Sequence, residues 1–238
     1  MTFDGSVATL LAQGEKAGIG GFLVHSVATS PKQVASINSF IAEQVALHPK
    51  KFIGFGALHP HSETPEEDVA HILSLGLKGV KLHPDVQQFA VDSPETIDLC
   101  SIFAGKLPLL VHAGDHRYPF SNPHRIRTLC EKLPGLTVIA AHFGGWSEWE
   151  EAERLLPGLP NLYVDTSSSL PFFPAEKAKE LIEIFGSKRV LFGVDYPMWD
   201  HEEELRRFFE IDLDPEEAND ILYRNAFDLL GLKTSDFA

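Results

Sequence analysis

The sequence predicts one α/β domain folded as a TIM-type (β/α) barrel, and three observations lead there. Short apolar runs rich in Val, Ile, Leu and Phe recur along the 238 residues, each followed by polar punctuation and a segment of helical period, at the ~30-residue spacing of βα units. The runs are apolar almost throughout, as strands covered on both faces are. The rival architecture, an open doubly wound sheet, usually carries a glycine-rich phosphate cradle after its first strand, and no GxGxxG or P-loop pattern is present.

Seven runs fit the description: residues 21–28, 52–60, 77–84, 108–114, 137–145, 161–168 and 189–197. Helix starts fall between them, where Ser30-Pro31, Thr64-Pro65, Ser93-Pro94 and Asp214-Pro215 each place a capping residue before a proline at the first helical position. Val69, Ile72 and Leu73, and later Leu181, Ile182 and Phe185, supply the stripe a helix needs to pack on a sheet, with Gly76 and Gly186 as stops. Residues 18–21 precede a strand and read as a tight turn. The acidic stretches 148–153 and 202–204 read as solvated helix faces. No linker or low-complexity segment divides the chain, so residues 1–238 are read as a single domain. Barrels of this class usually need ~250 residues, which leaves this one slightly short.

Acidic residues outnumber basic ones by 34 to 20, for a net charge of −14. That charge repels phosphate backbones and anionic lipid, which argues against nucleic acid or a membrane surface as partner. Cys100 and Cys130 lie in apolar stretches that read as helices, where a thiol acts as a small buried hydrophobe in a reducing compartment. Without a signal-peptide pattern or ~18 consecutive apolar residues, the expectation is a soluble, cytoplasmic protein.

Five of the 11 histidines end a predicted strand: His25, His59, His83, His112 and His142. The last strand ends in Asp195. Barrels mount their catalytic groups at that end of the strands. Strand alternation puts Lys81 with His83, Leu110 with His112, Ala140 with His142, and Gly193 with Asp195, so the polar groups point into one mouth. Imidazoles and a carboxylate gathered there are ligands that zinc prefers, and bound zinc brings the pKa of water to ~7. His112, His142 and Asp195 carry this expectation. Lys81 reads either as a substrate anchor or as a counter-ion to Asp195, and His25 and His83 as further substrate contacts. His59, beside Pro60 and His61, reads as structural, and His48, His71, His116, His124 and His201 as solvated. Trp146, Phe172 and Phe173 suit an apolar pocket, and Trp149 suits helix packing. Residues 166–169 offer a weaker alternative, an anion site.

The motifs LKGVKLHPDVQQF (77–89), LLVHAG (109–114), VIAAHFGGW (138–146), LFGVDYP (191–197) and the closing NAFDLLGL (225–232) resemble the amidohydrolase-related family. This is a branch of the amidohydrolase superfamily that includes aminocarboxymuconate-semialdehyde decarboxylase, resorcylate decarboxylases and dicarboxylate lactonases. The likeness runs in order from about residue 21 to 232. It implies a metal-dependent hydrolase acting on a small carboxylate-bearing substrate, or a non-oxidative decarboxylase using the same site. It further implies that His112 is a metal ligand, that Asp195 is a ligand which also handles the proton of water, and that His142 polarises substrate or bound water.

One departure stands out: the family's first strand ends in a His-x-His pair that supplies two metal ligands, and no such pair precedes the first of the seven runs here, the histidines of residues 59–61 lying in the polar turn after the second. Residues 1–18 read as the loop and helix after that strand, with Val7, Leu10 and Leu11 as the apolar face, so the seven runs become strands two to eight. Several expectations follow. The chain is short of its first strand, and its zinc site is weakened, with His142 drawn in as a third ligand, or is lost, leaving a barrel that only binds ligand. Two strand edges stay unpaired unless the barrel closes on seven strands, residues 1–4 fill the gap, or a second subunit pairs with them; an incompletely closed homodimeric barrel is expected.

Overall fold

The apolar runs fold as parallel strands, in a computed structural model that describes residues 3–237. β1 (Phe22–Val24) pairs with β2 (Phe52–Gly54). β3 (Gly56–Ala57), β4 (Val80–Leu82), β5 (Leu109–Val111), β6 (Val138–Ala140), β7 (Leu162–Asp165) and β8 (Val190–Leu191) follow in chain order, every neighbour parallel. β2 and β3 are two pieces of one run parted at Phe55, whose amide turns to the Val24 carbonyl. Lys78 donates to Gly54 and Gly56 to Gly79, which carries the ladder across the break. The seven runs of the sequence are therefore all present as strands of a TIM-type fold.

Alternation sorts the side chains into two cores. Val80, Leu109, Val111, Val138 and Val164 face outward into the layer of helices. Phe55, Leu110, Ile139, Ala141 and Leu191 face inward, where Leu229 and Leu230 of the helix Asn225–Leu230 pack against them. Helix starts follow their caps: the Ser93 hydroxyl accepts from the Thr96 amide and the Asp214 carboxylate from the Glu216 amide. Cys100 and Cys130 are free and buried. Among the described residues no helix is long and apolar enough to cross a membrane.

Four local expectations need correction. Leu73 is 43% exposed, since only Val69 and Ile72 of its helix turn fully toward the sheet. In the helix Val7–Ala17, Leu10 alone of the three expected apolar residues is buried. Glu204 is fully buried, bonded by Arg207 at 2.6 Å. His201 is buried too, its ring 5.6 Å from those of Phe22 and Tyr196. Both lie on the helix His201–Phe209, whose inner face packs on the fold.

β1 and β8 each have one paired neighbour among the described residues. A cavity of about 960 Å³ opens between them, walled by Leu23 and Val24 on one side and by Leu191 and Phe192 on the other. Gly5 and Ser6 also line it. Of the segment 1–4 expected in this gap, Met1 and Thr2 lie outside the described residues, and Phe3 stacks on Tyr196 with ring centres 5.8 Å apart.

Two stability measurements follow. Asn38, fully buried on the helix Val34–Leu47, accepts from the Ala57 amide at 2.7 Å and donates to the Ala57 carbonyl at 3.1 Å. Asn38→Ala strands both backbone groups and is expected to lower unfolding free energy by about 2–4 kcal/mol in urea titration. Burial pushes the Glu204 carboxyl up from 4.5 to about 7, partly opposed by Arg207. The folded chain thus holds a proton that the unfolded chain releases between these values, so this contribution to stability is full below pH ~4.5 and declines as pH rises through ~7. Glu204→Gln should flatten that decline in a series of thermal melts.

Candidate active site

Parallel pairing brings the carboxyl ends of the strands to one side, and the loops leaving them carry the polar residues. Lys81 of β4 points inward, 5% exposed, in the wall of the cavity with His25, His142 and Asp195. Burial lowers the Lys81 pKa, against the attraction of Asp195 and Asp165. His25 is exposed on the same wall. Burial by itself would raise the Asp195 carboxyl; His142, the Ser168 hydroxyl, Lys81 and His25 together outweigh it and hold the group below the ordinary value. Ser168 Oγ donates to Asp195 Oδ2 at 2.5 Å and is itself held by Trp199 Nε1 at 2.9 Å.

His142 reaches the mouth by a route that alternation misses. Ala140 packs outward, and the backbone at His142 and Phe143 turns left-handed, with φ of 62° and 50°, which re-aims the imidazole. Ser168 and Asp195 are left-handed as well, at 49° and 66°. Such strain in non-glycine residues persists only where the surroundings impose it. Here the His142 amide donates to Asp165 Oδ1 at 3.0 Å, and Trp149 Nε1 donates to the His142 carbonyl at 2.9 Å. Trp149 also packs its ring on Phe173, at 4.7 Å. Gly114 (φ 85°) lets the loop after β5 lie against Trp146, where a Cβ would stand 2.3 Å from the Trp146 nitrogen.

The partners of His142 settle the tautomers of two rings. Its Nδ1 lies 2.8 Å from the Ser167 carbonyl oxygen and 3.0 Å from Ser167 Oγ, whose own proton goes to Asp165 Oδ1 at 2.5 Å. Both are acceptors toward the ring, so Nδ1 carries the proton of neutral His142 and Nε2 presents a lone pair. That lone pair is 3.0 Å from His112 Nδ1, which must therefore be the donor. His112 Nε2 is then unprotonated, and it lies 3.3 Å from Asp85 Oδ2.

His83 stacks on His112 with ring centres 4.0 Å apart and planes 11° off parallel. Asp85, on the short helix Pro84–Gln87, accepts from Ser121 Oγ at 2.5 Å. Burial pushes its carboxyl up to about 6 despite that bond. Gln87 fixes this turn by accepting from the His83 amide and donating to the carbonyls of Ala28 and Leu58. Among the described residues, His83, Asp85 and His112 are the set of metal-ligand side chains whose donor atoms lie within 4.8 Å of one another. His112 faces Asp85, while Asp195 faces Lys81 and His142, so the pair expected to share a metal is not drawn together with a third ligand.

The remaining candidates fall into place more simply. His59 is buried and accepts from the His61 amide through Nδ1, in keeping with a structural reading. The hydroxyls of residues 166–169 point to Gly193, Asp165, Asp195 and Ser167, which leaves little donor capacity for an anion. Asp85, Ser121 and Asp165 were not singled out in the sequence, and Ser167 and Ser168 only as part of a possible anion site. A signal existed for two of them: Asp85 follows His83 by two residues, and Asp165 ends β7 as Asp195 follows β8.

A family model described as amidohydrolase matches residues 5–232. Among solved structures, the chain is similar to an uncharacterized TIM-barrel protein from Bordetella bronchiseptica, with 25% identity over 95% of this chain and 83% of that one and a TM-score of 0.80. It is similar to 5-carboxyvanillate decarboxylase LigW from Sphingomonas paucimobilis at 16% identity, 96% and 84% coverage and a TM-score of 0.76. A dihydroxybenzoic acid decarboxylase from Polaromonas sp. JS666, solved with manganese and the inhibitor 2-nitroresorcinol, matches at 16% identity, 97% and 88% coverage and a TM-score of 0.72. The two likenesses at 16% identity speak for a shared fold.

The tautomer assignment is open to direct measurement. Nitrogen-15 NMR of the metal-free protein at neutral pH is expected to show His112 and His142 each protonated at Nδ1 and not at Nε2. A proton on His142 Nε2 would break the chain of donors inferred above.

Proposed function

Because the chain belongs to the amidohydrolase family, we infer that it is an enzyme that hydrolyses a small carboxylate-bearing substrate in the mouth formed by Lys81, His142 and Asp195. The observation that carries this reading is a buried lysine and a carboxylate held in its charged form on the wall of one cavity. That cavity, about 960 Å³, is of the size that small-molecule sites have.

In this reading the Lys81 ammonium pairs with the substrate carboxylate, and burial strengthens the pair by excluding competing water. Asp195 Oδ1 takes the proton of the attacking water, while Ser168 keeps Oδ2 and so fixes the carboxylate plane. His142 borders the mouth with both ring nitrogens engaged, Nδ1 on Ser167 and Nε2 accepting from His112, and so shapes the wall against which the substrate lies. Non-oxidative decarboxylation in the same mouth is the second reading, favoured by the likeness to the Sphingomonas and Polaromonas decarboxylases. There Asp195 delivers a proton to carbon instead of removing one from water. A divalent metal belongs to either reading, supported by the family and by the manganese of the Polaromonas enzyme. Zinc is the ion that nitrogen and oxygen donors here favour.

Product analysis on a panel of lactones and aromatic acids separates the two: a ring-opened acid supports hydrolysis, and released carbon dioxide supports decarboxylation. On whichever substrate is turned over, Asp195→Asn is expected to lower kcat by at least ~10². Lys81→Met should act chiefly through KM. An unchanged rate for both variants removes the mouth from the mechanism.

A further inference from the structure

The loop leaving β7 carries a ring that is exposed and yet enclosed by other rings. After Ser167 and Ser168 the chain makes a short turn, Leu170–Phe172, in which Leu170 is buried and Phe172 stands 51% exposed. An aromatic ring left half in water contributes little to a core. Phe172 nevertheless sits among the protein's three tryptophans, its ring centre 5.8 Å from Trp149, 5.9 Å from Trp199 and 6.0 Å from Trp146, the last two edge to face. None of these four rings lines the large cavity. The cluster is therefore outside the mouth.

Two of the indoles end on acceptors that belong to the site. Trp149 Nε1 donates to the His142 carbonyl and Trp199 Nε1 to Ser168 Oγ, each at 2.9 Å. Ser168 passes the constraint on, because an oxygen that accepts the indole proton has its own hydroxyl proton directed to Asp195 Oδ2, at 2.5 Å. The two indoles differ in how they are held. Trp149 keeps a second ring against it, Phe173 at 4.7 Å, and is the fixed side of the cluster. Trp199 has Phe172 as its one aromatic neighbour among the described residues. Phe172 thus stands as a spacer between an indole fixed to the loop of His142 and an indole that holds Ser168 and, through it, Asp195. Ser168 and Asp195 are both left-handed, with φ of 49° and 66°, a backbone state that the surroundings have to impose.

We propose that Phe172 is a positioning residue for Asp195, acting through the Trp199 indole and the Ser168 hydroxyl, with Trp146 and Trp149 as its backing. The inference rests on the reading of Asp195 as the group that moves a proton in the mouth. It goes beyond that reading by placing control of the carboxylate on an apolar ring outside the cavity. A carboxylate that transfers a proton must keep its free oxygen within hydrogen-bond reach of the reacting atom, and a misplacement of about 1 Å costs up to ~10²-fold in rate. Removing the Phe172 ring frees the Trp199 indole to turn, so its N–H leaves Ser168 and the hydroxyl is no longer bound to point at Oδ2. Trp149 stays in place on Phe173.

The test uses the full nitrogen-15-labelled chain. Exchange of the indole Nε1–H groups with water is followed by NMR, with Trp149→Phe and Trp199→Phe assigning the signals. In Phe172→Ala, exchange at Trp199 is expected to rise ~10-fold or more while that at Trp149 keeps the parental rate. Phe172→Leu, which keeps a bulky apolar side chain, should restore most of the protection. On a substrate that the parent turns over, kcat of Phe172→Ala should fall ~10-fold or more with KM within about twofold. Trp199→Phe, which keeps a ring against Phe172 and removes the N–H, should lower kcat likewise. The melting temperature of Phe172→Ala should stay near the parental one, since the ring is half exposed. Parental exchange at Trp199 in Phe172→Ala overturns the proposal, as does parental kcat in Trp199→Phe. Equal acceleration at both indoles, or loss of the fold, marks a general structural role and overturns it too, and a loss of activity carried by KM puts Phe172 against substrate instead. If Asp195→Asn keeps the parental rate, the reading of the mouth fails while indole exchange still decides the role of Phe172, so the two failures are told apart.

Discussion

Every polar group at the mouth depends on the direction in which the strands run. A parallel ladder sends all its carboxyl ends to one side, and β4, β6 and β8 therefore bring Lys81, His142 and Asp195 to one cavity wall, with His112 after β5 bonded behind His142. Register does the rest, since inward residues such as Leu110 and Ile139 fill the layer beneath and leave the mouth polar only at the top. A one-residue slip in any strand would exchange the inner and outer cores and scatter the site.

Placing charges there has a cost that the structure meets with hydrogen bonds and opposite charges. Asp195 is stabilised by Ser168 and Lys81, and Asp165 by two backbone amides and the Ser167 hydroxyl. Neutral rings meet the same demand by a fixed order of donors, Ser167 setting His142 and His142 setting His112. The order ends at Asp85, which faces His112 Nε2 and accepts from Ser121. A preorganised set of this kind holds its geometry without rearrangement during reaction.

The strands were legible because apolar runs with capped, proline-started helices between them leave few alternatives. Where local chemistry was read alone it missed tertiary context: Glu204 and His201 look solvated by sequence, yet their helix turns them inward. At the site, strand ends were visible and loop conformation was not. Ala140 and His142 share a strand parity but not a face, because the left-handed backbone at His142 intervenes, and no residue type announces that turn. Asp85 sits in a motif already recognised by its histidine, but its meeting with His112 arises from β4 and β5 lying side by side, a contact of sequence-distant residues that spacing does not reveal.

The single-sided pairing of β1 has a consequence for how evenly the molecule holds together. β4 to β7 are clamped on both flanks, whereas β1 is three residues long and, among the described residues, has ladder bonds on one flank. Separating it from β2 breaks few bonds and exposes a wall already open to the cavity. Backbone amides of β1 and of the helix Val7–Ala17 before it should then exchange with deuterated solvent through a local opening, while those of β5 and β6 exchange only when the whole domain unfolds. Protection is expected to fall along a gradient from the middle strands toward β1.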